Sequence, residues 1–563
     1  MIMHLQRSGR RPEVPLARTK YIPALVTFLI LGTLSTLWSL ASPLMSIPDE
    51  PAHTIKAAAV ARGQLQTQES GKQGDPAIVK VPGYVAELGN QLCYAFKVQV
   101  SAACSPDING QNTALVPATT TAGNYNPLYY LIVGLPSRLL SGETAVYVMR
   151  IASGLLSAVF MTMAIMAARQ MRHGQWPLVA AVVGLTPMAL YLAGSINPNS
   201  LEVVTTAAFF VNLCLALENS KSLAATRAPL IAVGVSGAVL ANTRALSLLW
   251  LAIAFAVALI AYGWRPLAEI LRSKFGVAMA GIAVLGCAAG LGWLVVADSF
   301  KSLGGIPSKV TPDQAFVTML DRTFDYVSGY IGLMGWVDTL TPSGVQVFWH
   351  FAFVALVLAA VTSRPLRNRW LLVPVFIGVL VLPPILQSQV IQELGYIWQG
   401  RYLLALVVLM MLACGMALRF HSFPLSDRAK SIGRWTLVAA VAAHVYAFVF
   451  TLRRYTVGLF PEHVNWSEMW ETTWQPPLTW QGLSIAYLIT LTAGAVLLYR
   501  ALFPKRHWRS RTFGAEARPM PQGSLPQPRA SRLNAAAPAQ AKVDGNRNGS
   551  VKVADEGDRR NAL

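Results

Sequence analysis

The chain is poor in charge. Asp, Glu, Lys and Arg together make up 13% of its 563 residues, about half the share of a soluble globular domain. With 54% hydrophobic residues and a mean hydropathy of +0.45, that scarcity excludes a soluble enzyme, a disordered chain and a fibrous one. Acidic residues are the scarcer sign, 26 against 46 basic, for a formal net charge of +20. Such an excess invites a nucleic-acid partner. Here the Lys and Arg sit in short clusters between apolar runs, as cytoplasmic loops do under the positive-inside rule. A lipid bilayer, and no nucleic acid, is the partner expected. Cysteine is scarce too. Cys214, Cys287 and Cys414 fall inside apolar runs, where a buried, inert thiol is the default. No C-x-x-C pair or His cluster has zinc-ligand spacing, so no metal site is predicted. Internal repeats are lacking, which weighs against an inverted-repeat transporter.

What the chain has in quantity is long apolar runs. A basic stretch over 1–20 (Arg7, Arg10, Arg11, Arg18, Lys20) precedes an apolar run over Tyr21–Ser42 that is long enough to cross a hydrocarbon core. A cleaved signal would have a shorter core and a small-residue cleavage site, so an uncleaved first helix is predicted. Further runs follow at 144–168, 177–195, 199–217, 227–242, 245–262, 275–297, 346–362, 370–387, 402–419, 435–453 and 481–502. The weakest is 227–242, which is short and rich in Gly and Ala. The expected fold class is an all-α integral membrane protein of about twelve transmembrane helices spanning 21–502.

The basic clusters around Arg169–His173, Lys221–Arg227, Arg265–Lys274, Arg364–Arg369, Arg419–Arg434 and Lys505–Arg511 fall on alternate connections. This places them, and both termini, in the cytoplasm. Pro127–Leu140 breaks the count: it is apolar but too short to span, and it contains Pro136 and Arg138. It is expected to lie as a helix against the outer face. Three outward connections are long, 43–143, 298–345 and 454–480, and long ordered loops are usually functional. The tail over 503–563 is rich in Pro, Ala, Gly, Gln, Arg and Asn without periodicity, the composition of a disordered, basic cytoplasmic segment.

Cys93 and Cys104 both fall in the first outer loop. An oxidising exterior permits a disulfide there, which would stabilise the loop by about 3 kcal/mol; two free thiols are the alternative.

The sharpest chemical signal is Ile47-Pro48-Asp49-Glu50-Pro51-Ala52-His53, just beyond the first helix. Two adjacent carboxylates emerge there with prolines on both sides fixing the backbone. An amphipathic stretch, Thr54–Arg62, follows and is expected to lie flat on the membrane. If Pro51 begins that helix, Asp49 and Glu50 sit at its positive end, which favours ionised carboxylates able to accept a proton or bind a cation. Simple capping of the helix by either residue is the competing reading. A second constellation, Asn124-Tyr125-Asn126-Pro127-Leu128-Tyr129-Tyr130, reads either as part of a site or as an aromatic membrane anchor. A third, Ser195-Ile196-Asn197-Pro198-Asn199-Ser200, suits any tight turn.

Arg244 and Arg401 stand at outer ends of spans, on the side the charge rule leaves poor in cations. Such arginines can snorkel, but a guanidinium also suits phosphate. The second outer loop offers Thr311-Pro312-Asp313 as a helix start. Asp321, Arg322 and Asp325 are expected on that helix, and Gly335-Trp336-Val337-Asp338-Thr339-Leu340 follows. In the third loop Trp466, Trp470 and Trp474 recur every four residues, so one helical face, with interfacial anchoring favoured over sugar stacking.

Taken as a set, Pro48-Asp49-Glu50-Pro51-Ala52-His53, Asn126-Pro127-Leu128-Tyr129-Tyr130, Gly335-Trp336-Val337-Asp338 and Gln399-Gly400-Arg401-Tyr402 resemble a bacterial domain-of-unknown-function family of multipass proteins. That family is common in actinobacteria and is grouped with the C-type (integral membrane) glycosyltransferases. The resemblance covers residues 21–500. It implies a seven-helix module with two juxtamembrane helices in the first outer loop, in a bacterial plasma membrane. It also implies a sugar donor on a polyprenyl phosphate and an envelope glycan, lipid or protein as acceptor. Asp49 would be the general base, with inversion at the anomeric carbon. Arg401 first and Arg244 second would hold the donor phosphate. Glu50 or His53 would orient the acceptor or bind a metal, and Asn126, Tyr129, Asn197, Asn199, Trp336 and Asp338 would surround the substrates. C-type enzymes often work without a metal, so no cofactor is assigned and a divalent cation is left open. Members often carry His-Pro-Pro where this chain has Asn126-Pro127. The competing functions are a lipid-linked glycan flippase or transporter, which would need charges at mid-membrane depth, and a non-catalytic envelope-assembly protein.

Overall fold

A computed structural model of the chain describes residues 18–65, 75–299, 306–364 and 366–504. The expected disordered tail from 505 onward and the basic residues 1–17 lie outside the described residues. Among the described residues ten helices are long and apolar enough to cross a membrane, and two bent pairs raise the number to as many as twelve. In chain order the helices used below are α1 (Arg18–Ala41), α2 (Glu50–Val60), α3 (Pro127–Gly134), α4 (Gly142–Gln170), α5 (Gln175–Val183), α6 (Pro187–Ala193), α7 (Pro198–Glu218), α8 (Leu223–Ala241), α9 (Ser247–Tyr262), α10 (Trp264–Leu271), α11 (Lys274–Val296), α12 (Pro312–Asp321), α13 (Ser343–Thr362), α14 (Val373–Leu394), α15 (Leu404–Ala417), α16 (Asp427–Thr456) and α17 (Trp480–Leu502). Helix α4 packs between α1 and α7, α8 between α7 and α11, and α15 against α5, α7 and α13. Trp38 of α1 is fully buried where α1, α6, α16 and α17 meet. Its Nε1 donates to Tyr487 Oη at 3.1 Å, and Tyr191, Phe448 and Tyr487 surround its ring.

Two of the expected spans are not straight. The run at 177–195 is α5 and α6, bent by 68°. Pro187 has no N–H to continue a helix, and Thr186 caps the new one by accepting from Ala189 N. The run at 245–262 becomes α9, after which Gly263, with φ of +79°, turns the chain by 106° into the short helix α10. Only glycine adopts that backbone without strain.

Two small antiparallel ribbons were not foreseen. β1 (Ala77–Pro82) pairs with β2 (Leu115–Thr120), from Ala77 opposite Thr120 to Pro82 opposite Leu115, and β3 (Leu333–Met334) pairs with β4 (Thr339–Leu340). The Gly335–Asp338 motif is the turn of the second ribbon. Between β1 and β2 the chain makes an excursion that the Cys93–Cys104 disulfide closes, with a Cα–Cα distance of 6.0 Å. Ser105 Oγ donates to Gln91 O at 3.1 Å beside it.

Three expectations need correction. The stretch Thr54–Arg62 does not lie with one face free: His53–Val60 are buried beneath α3 and the β1–β2 ribbon. Its polar groups are satisfied internally, Thr54 Oγ1 by Glu50 O at 2.8 Å and Lys56 Nζ by Gly123 O at 2.7 Å and Leu65 O at 3.0 Å. Trp466, Trp470 and Trp474 share no helical face. The only helix there is a short 3₁₀ turn, Ser467–Glu471, and Pro476-Pro477 prevents a helix from re-forming after it. Trp466 instead lies under Arg453, Trp470 packs on Trp480, and Trp474 joins the Tyr94–Tyr455 cluster. In the second loop Thr311 does cap α12 through a capping box, but the helix ends at Asp321, so Arg322 is its C-cap and Asp325 lies beyond it.

Replacing Cys93 and Cys104 by serine should lower the unfolding free energy by about 3 kcal/mol. The check is thermal unfolding of the detergent-solubilised chain. An unchanged midpoint would mean that the strands alone hold the excursion.

Candidate functional site

The site begins with a buried ion pair. Glu50 and Arg150 are both fully inaccessible. Arg150 Nε and Nη2 donate to the two carboxylate oxygens of Glu50 at 2.7 and 2.6 Å. Its remaining hydrogens go to Ser39 O at 3.1 Å, Ser42 O at 2.7 Å and Pro43 O at 2.7 Å, so all five guanidinium donors are used. Glu50 Oε1 also accepts from Ile196 N at 3.1 Å. One arginine of α4 therefore gathers the end of α1, the turn before α2 and the turn before α7.

This clamp fixes the neighbouring residue. Asp49 occupies the N-cap position of α2 with φ of +67°, a left-handed backbone that Asp tolerates better than most residues. Its side chain makes no cap hydrogen bond, which disposes of the capping reading. Instead Arg401 Nη2 donates to Asp49 Oδ2 at 2.6 Å. The Asp49 side chain is 48% exposed and that of Arg401 only 2%. Arg401 Nε and Nη1 are buried and have no hydrogen-bond partner.

A second arginine stands beside the first. Arg244 Nη1 donates to Glu202 Oε2 at 3.2 Å, and Ser247 Oγ donates to Glu202 Oε1 at 2.7 Å. Burial works against the Arg244 charge, yet the Glu202 carboxylate holds its pKa above the ordinary arginine value. The Tyr402 ring lies between the two cations, its centre 5.4 Å from Arg244 Cζ and 5.3 Å from Arg401 Cζ, within cation–π range.

Asp49, Arg244 and Tyr402 border a cavity of about 340 Å³ lined also by His53, Tyr125, Asn126 and Trp293, among others; Arg401 lies behind this lining, against Asp49 and Tyr402. His53 Nδ1 is 2.8 Å from Tyr130 Oη, and its ring meets Tyr125 edge-on. Burial pushes the imidazole down to about 3, with Arg244 and Arg401 adding to the effect and Asp49 opposing it. His53 is therefore neutral near pH 7. Asn126 caps α3 by accepting from Leu128 N at 3.0 Å and donates from Nδ2 to Asn242 Oδ1 at 2.9 Å. Asn242 Nδ2 donates onward to Gly286 O at 2.8 Å, tying α3 to α8 and α11. A second, apolar groove of about 290 Å³, lined by Pro127, Leu128, Ala289, Gly292 and Val296, shares Asn126 and Trp293 with the cavity. It runs along α11, whose candidate span is only 6% buried.

Of the residues singled out from the sequence, Asp49, His53, Asn126, Arg244 and Arg401 come together. Glu50 does not join them, because its two oxygens are spent on Arg150 and Ile196. Its expected part in acceptor or metal binding gives way to a structural one. Tyr129 is also buried away from the cavity, with its Oη 2.8 Å from Ser153 Oγ. Asn197 and Asn199 build the turn behind Pro48, Asn197 Nδ2 reaching Pro48 O at 3.4 Å and its Oδ1 accepting from Asn199 N at 3.0 Å. Trp336 Nε1 donates to Met45 O at 3.0 Å, and Asp338 Oδ2 accepts from Phe96 N at 3.1 Å and Arg454 Nη2 at 3.5 Å. These last two fasten the second loop to the first.

Trp293 and Glu202 were not singled out. Trp293, in the last turn of α11, looks like any interfacial tryptophan. Glu202 sits near a span end, where a carboxylate in the first turns of an apolar helix demands a partner. Among the described residues no group of three or more His, Cys, Asp or Glu side chains could hold a metal ion. Among the described residues lining the cavity, Asp49 is the one carboxylate, and it faces an arginine, an arrangement that suits an anion.

The sequence profile of a family described as predicted membrane protein (DUF2142) matches residues 32–410. No curated protein matches the chain. Among solved structures, the apo form of ArnT from Cupriavidus metallidurans aligns with 13% identity over 86% of this chain and 77% of that one, at a TM-score of 0.41. The same protein bound to undecaprenyl phosphate aligns at 0.40 and 13% identity, over 87% and 77%. The oligosaccharyltransferase of Archaeoglobus fulgidus, in complex with Zn and sulfate, aligns at 0.36 and 11% identity, over 79% of this chain and 55% of that one.

Glu50→Gln should cost about 3–5 kcal/mol, because it leaves Arg150 charged, buried and half-paired. Thermal unfolding in lipid nanodiscs reads this directly, and wild-type stability in the variant would return Glu50 to the pool of free acids. His53 gives a pH dependence. Its folded pKa lies below its unfolded value, so stability is whole above about pH 6.5 and declines as the pH falls toward 3. At pH 5 the deficit from this group is about 2 kcal/mol, and His53→Gln should flatten the loss between pH 6.5 and 5. Equal acid sensitivity in the variant would count against it.

Proposed function

The chain belongs to the DUF2142 family of predicted membrane proteins, and we propose that it is a glycosyltransferase. It would move a sugar from a polyprenyl-phosphate donor to a cell-envelope acceptor at the outer face of a bacterial plasma membrane. The observation that carries this reading is the pairing of a half-exposed carboxylate, Asp49, which lines the cavity, with a buried arginine, Arg401, that stands behind it and keeps two donor nitrogens unused. A general base and an anion site stand together there. The apolar groove along α11, which shares Asn126 and Trp293 with the cavity, supports a ligand with a polar head and a lipid tail. The alternation of basic clusters along the chain supports placing both termini in the cytoplasm and the cavity outside.

In this mechanism Asp49 removes the proton from an acceptor hydroxyl. The oxygen attacks the anomeric carbon from the face opposite the phosphate, and the bond from that carbon to the phosphate oxygen breaks. The sugar is transferred with inversion. The bonding electrons leave on the lipid phosphate, whose charge is met by Arg401 and Arg244, donors already in place before it develops. Glu50 acts through Arg150 as a positioning residue for Asp49. Neutral His53, with Tyr125, Asn126 and Trp293, lines the space left for the sugar. No step is assigned to a metal, since the residues present do not form a ligand set for one.

The test is a transfer assay with purified protein in lipid and a panel of polyprenyl-phosphate sugars. Acceptor-dependent release of polyprenyl phosphate is expected. Asp49→Asn should lower it about 100-fold or more, and Arg401→Ala about 100- to 1,000-fold. Donor binding without turnover, unchanged by Asp49→Asn, would instead favour a flippase or a non-catalytic assembly protein.

A further inference from the structure

The contact between Asp49 and Arg401 has a feature that a base and an anion site need not share: each occupies the other. A carboxylate bound to a guanidinium is a poor proton acceptor, and a guanidinium bound to a carboxylate is a poorer anion site. The two partners are held very unequally. Asp49 is 48% exposed and gives Arg401 a single oxygen, at 2.6 Å, so water can solvate it once it lets go. Arg401 is 2% exposed and cannot follow it into water. Its Nε and Nη1 already lack acceptors, and buried donors left unpaired are costly. Arg401 thus favours any ligand that offers more acceptor oxygens than Asp49 does.

The neighbouring pair shows which carboxylate can yield. Glu202 is 3% exposed and has both oxygens engaged, by Arg244 and Ser247. Asp49 and Arg244 line the cavity with their partners Arg401 and Glu202 behind them, so two cations and two carboxylates already balance there, and an entering phosphate that reaches Arg401 must displace Asp49. Only Asp49 can leave cheaply. Its backbone is held in place by the Glu50–Arg150 clamp, so the side chain can turn while the turn itself stays put. Tyr402, between the two guanidinium groups, keeps both cations at the cavity as it does so. On α2, Glu50 is spent on Arg150, and His53 is neutral and does not take over as a partner. Tyr125, Tyr130 and Tyr402 are the remaining titratable groups facing this point.

We propose that Arg401 is a latch on Asp49 that a lipid phosphate opens. In the unliganded protein Arg401 holds Asp49, and the donor phosphate competes Asp49 off it. Donor therefore binds before acceptor, and its binding is what frees the base. This rests on the reading of the cavity as a lipid-phosphate site.

The test is a double-mutant cycle on binding of undecaprenyl phosphate to the full chain in nanodiscs. If Asp49 competes with the phosphate for Arg401, Asp49→Asn should bind this lipid at least fivefold more tightly than wild type. Arg401→Gln should bind it more weakly, and in that background Asp49→Asn should give no further gain. A gain of the same size in both backgrounds would reduce Asp49 to a distant like charge and overturn the latch. So would weaker binding by Asp49→Asn, which would make Asp49 a support for Arg401 rather than its competitor. Thermal midpoints of the variants guard against misfolding. Failure of the wild type to bind the lipid at all would remove the lipid-phosphate reading, and the latch with it.

Discussion

The bidentate pair between Glu50 and Arg150 is the constraint on which the rest of the site depends. Taking two charges out of water costs several kcal/mol per ion, and mutual attraction repays it only if the remaining donors and acceptors are also satisfied. Here they are. The five hydrogens of Arg150 reach Glu50 and three carbonyls at the end of α1, and Glu50 takes a further backbone N–H from Ile196. A hydrophobic pair could fill the same space, but it could not specify the register among α1, α4, α7 and the turn before α2. That register is what allows Asp49 to sit in a left-handed backbone with its carboxylate turned away from its own helix.

Two adjacent carboxylates with the same chemistry thus take opposite parts. Glu50 points inward and is wholly spent on structure, whereas Asp49 points to the cavity and keeps one oxygen free of strong donors. The arginines divide in the same way. Arg150 has no donor to spare, Arg244 is held by Glu202, and Arg401 keeps two buried nitrogens without acceptors. The unsatisfied members of each set are the ones left to meet a ligand, because a group with all its hydrogen bonds made has nothing to offer one.

The spans were legible because a bilayer imposes a single strong pattern. About twelve apolar runs of sufficient length could be counted, and the ten straight helices and two bent pairs fall on them. The bends were not legible as angles, although Pro187 and Gly263 mark where they occur. The Cys93–Cys104 bridge was readable from the two cysteines in one outer loop. The ribbons were not, since β1 and β2 are two short segments whose only shared signal is their pairing with each other. In the site, Asp49, Arg244 and Arg401 were visible as charges where charge is unexpected. The separation of Asp49 from Glu50 was not visible. Burial of one and exposure of the other depend on Arg150, a hundred residues away in the chain, and no local pattern encodes that distance. For the same reason Asn197, Trp336 and Asp338 were read as substrate groups, when their short contacts are to the backbone of the loops they hold together.

The position of the cavity follows from how closely α8 and α11 approach. Gly290 of α11 lies where any side chain would strike the carbonyl of Ala241 at the end of α8, so this close packing requires glycine there. Beyond that contact the same small-residue surface, Ala289 and Gly292, leaves room beside α3, and the groove opens into it. Asn242 closes the gap between groove and cavity by accepting from Asn126 and donating to Gly286. At one end the cavity is thus walled by Arg244 and Asp49, while at the other the neighbouring groove is walled by Leu128, Val296 and Gly292 of α11. A ligand that satisfied both ends would need a charged head and an apolar tail in line. The tail would have to leave sideways along α11, because the clamp at Glu50 and Arg150 closes the way inward.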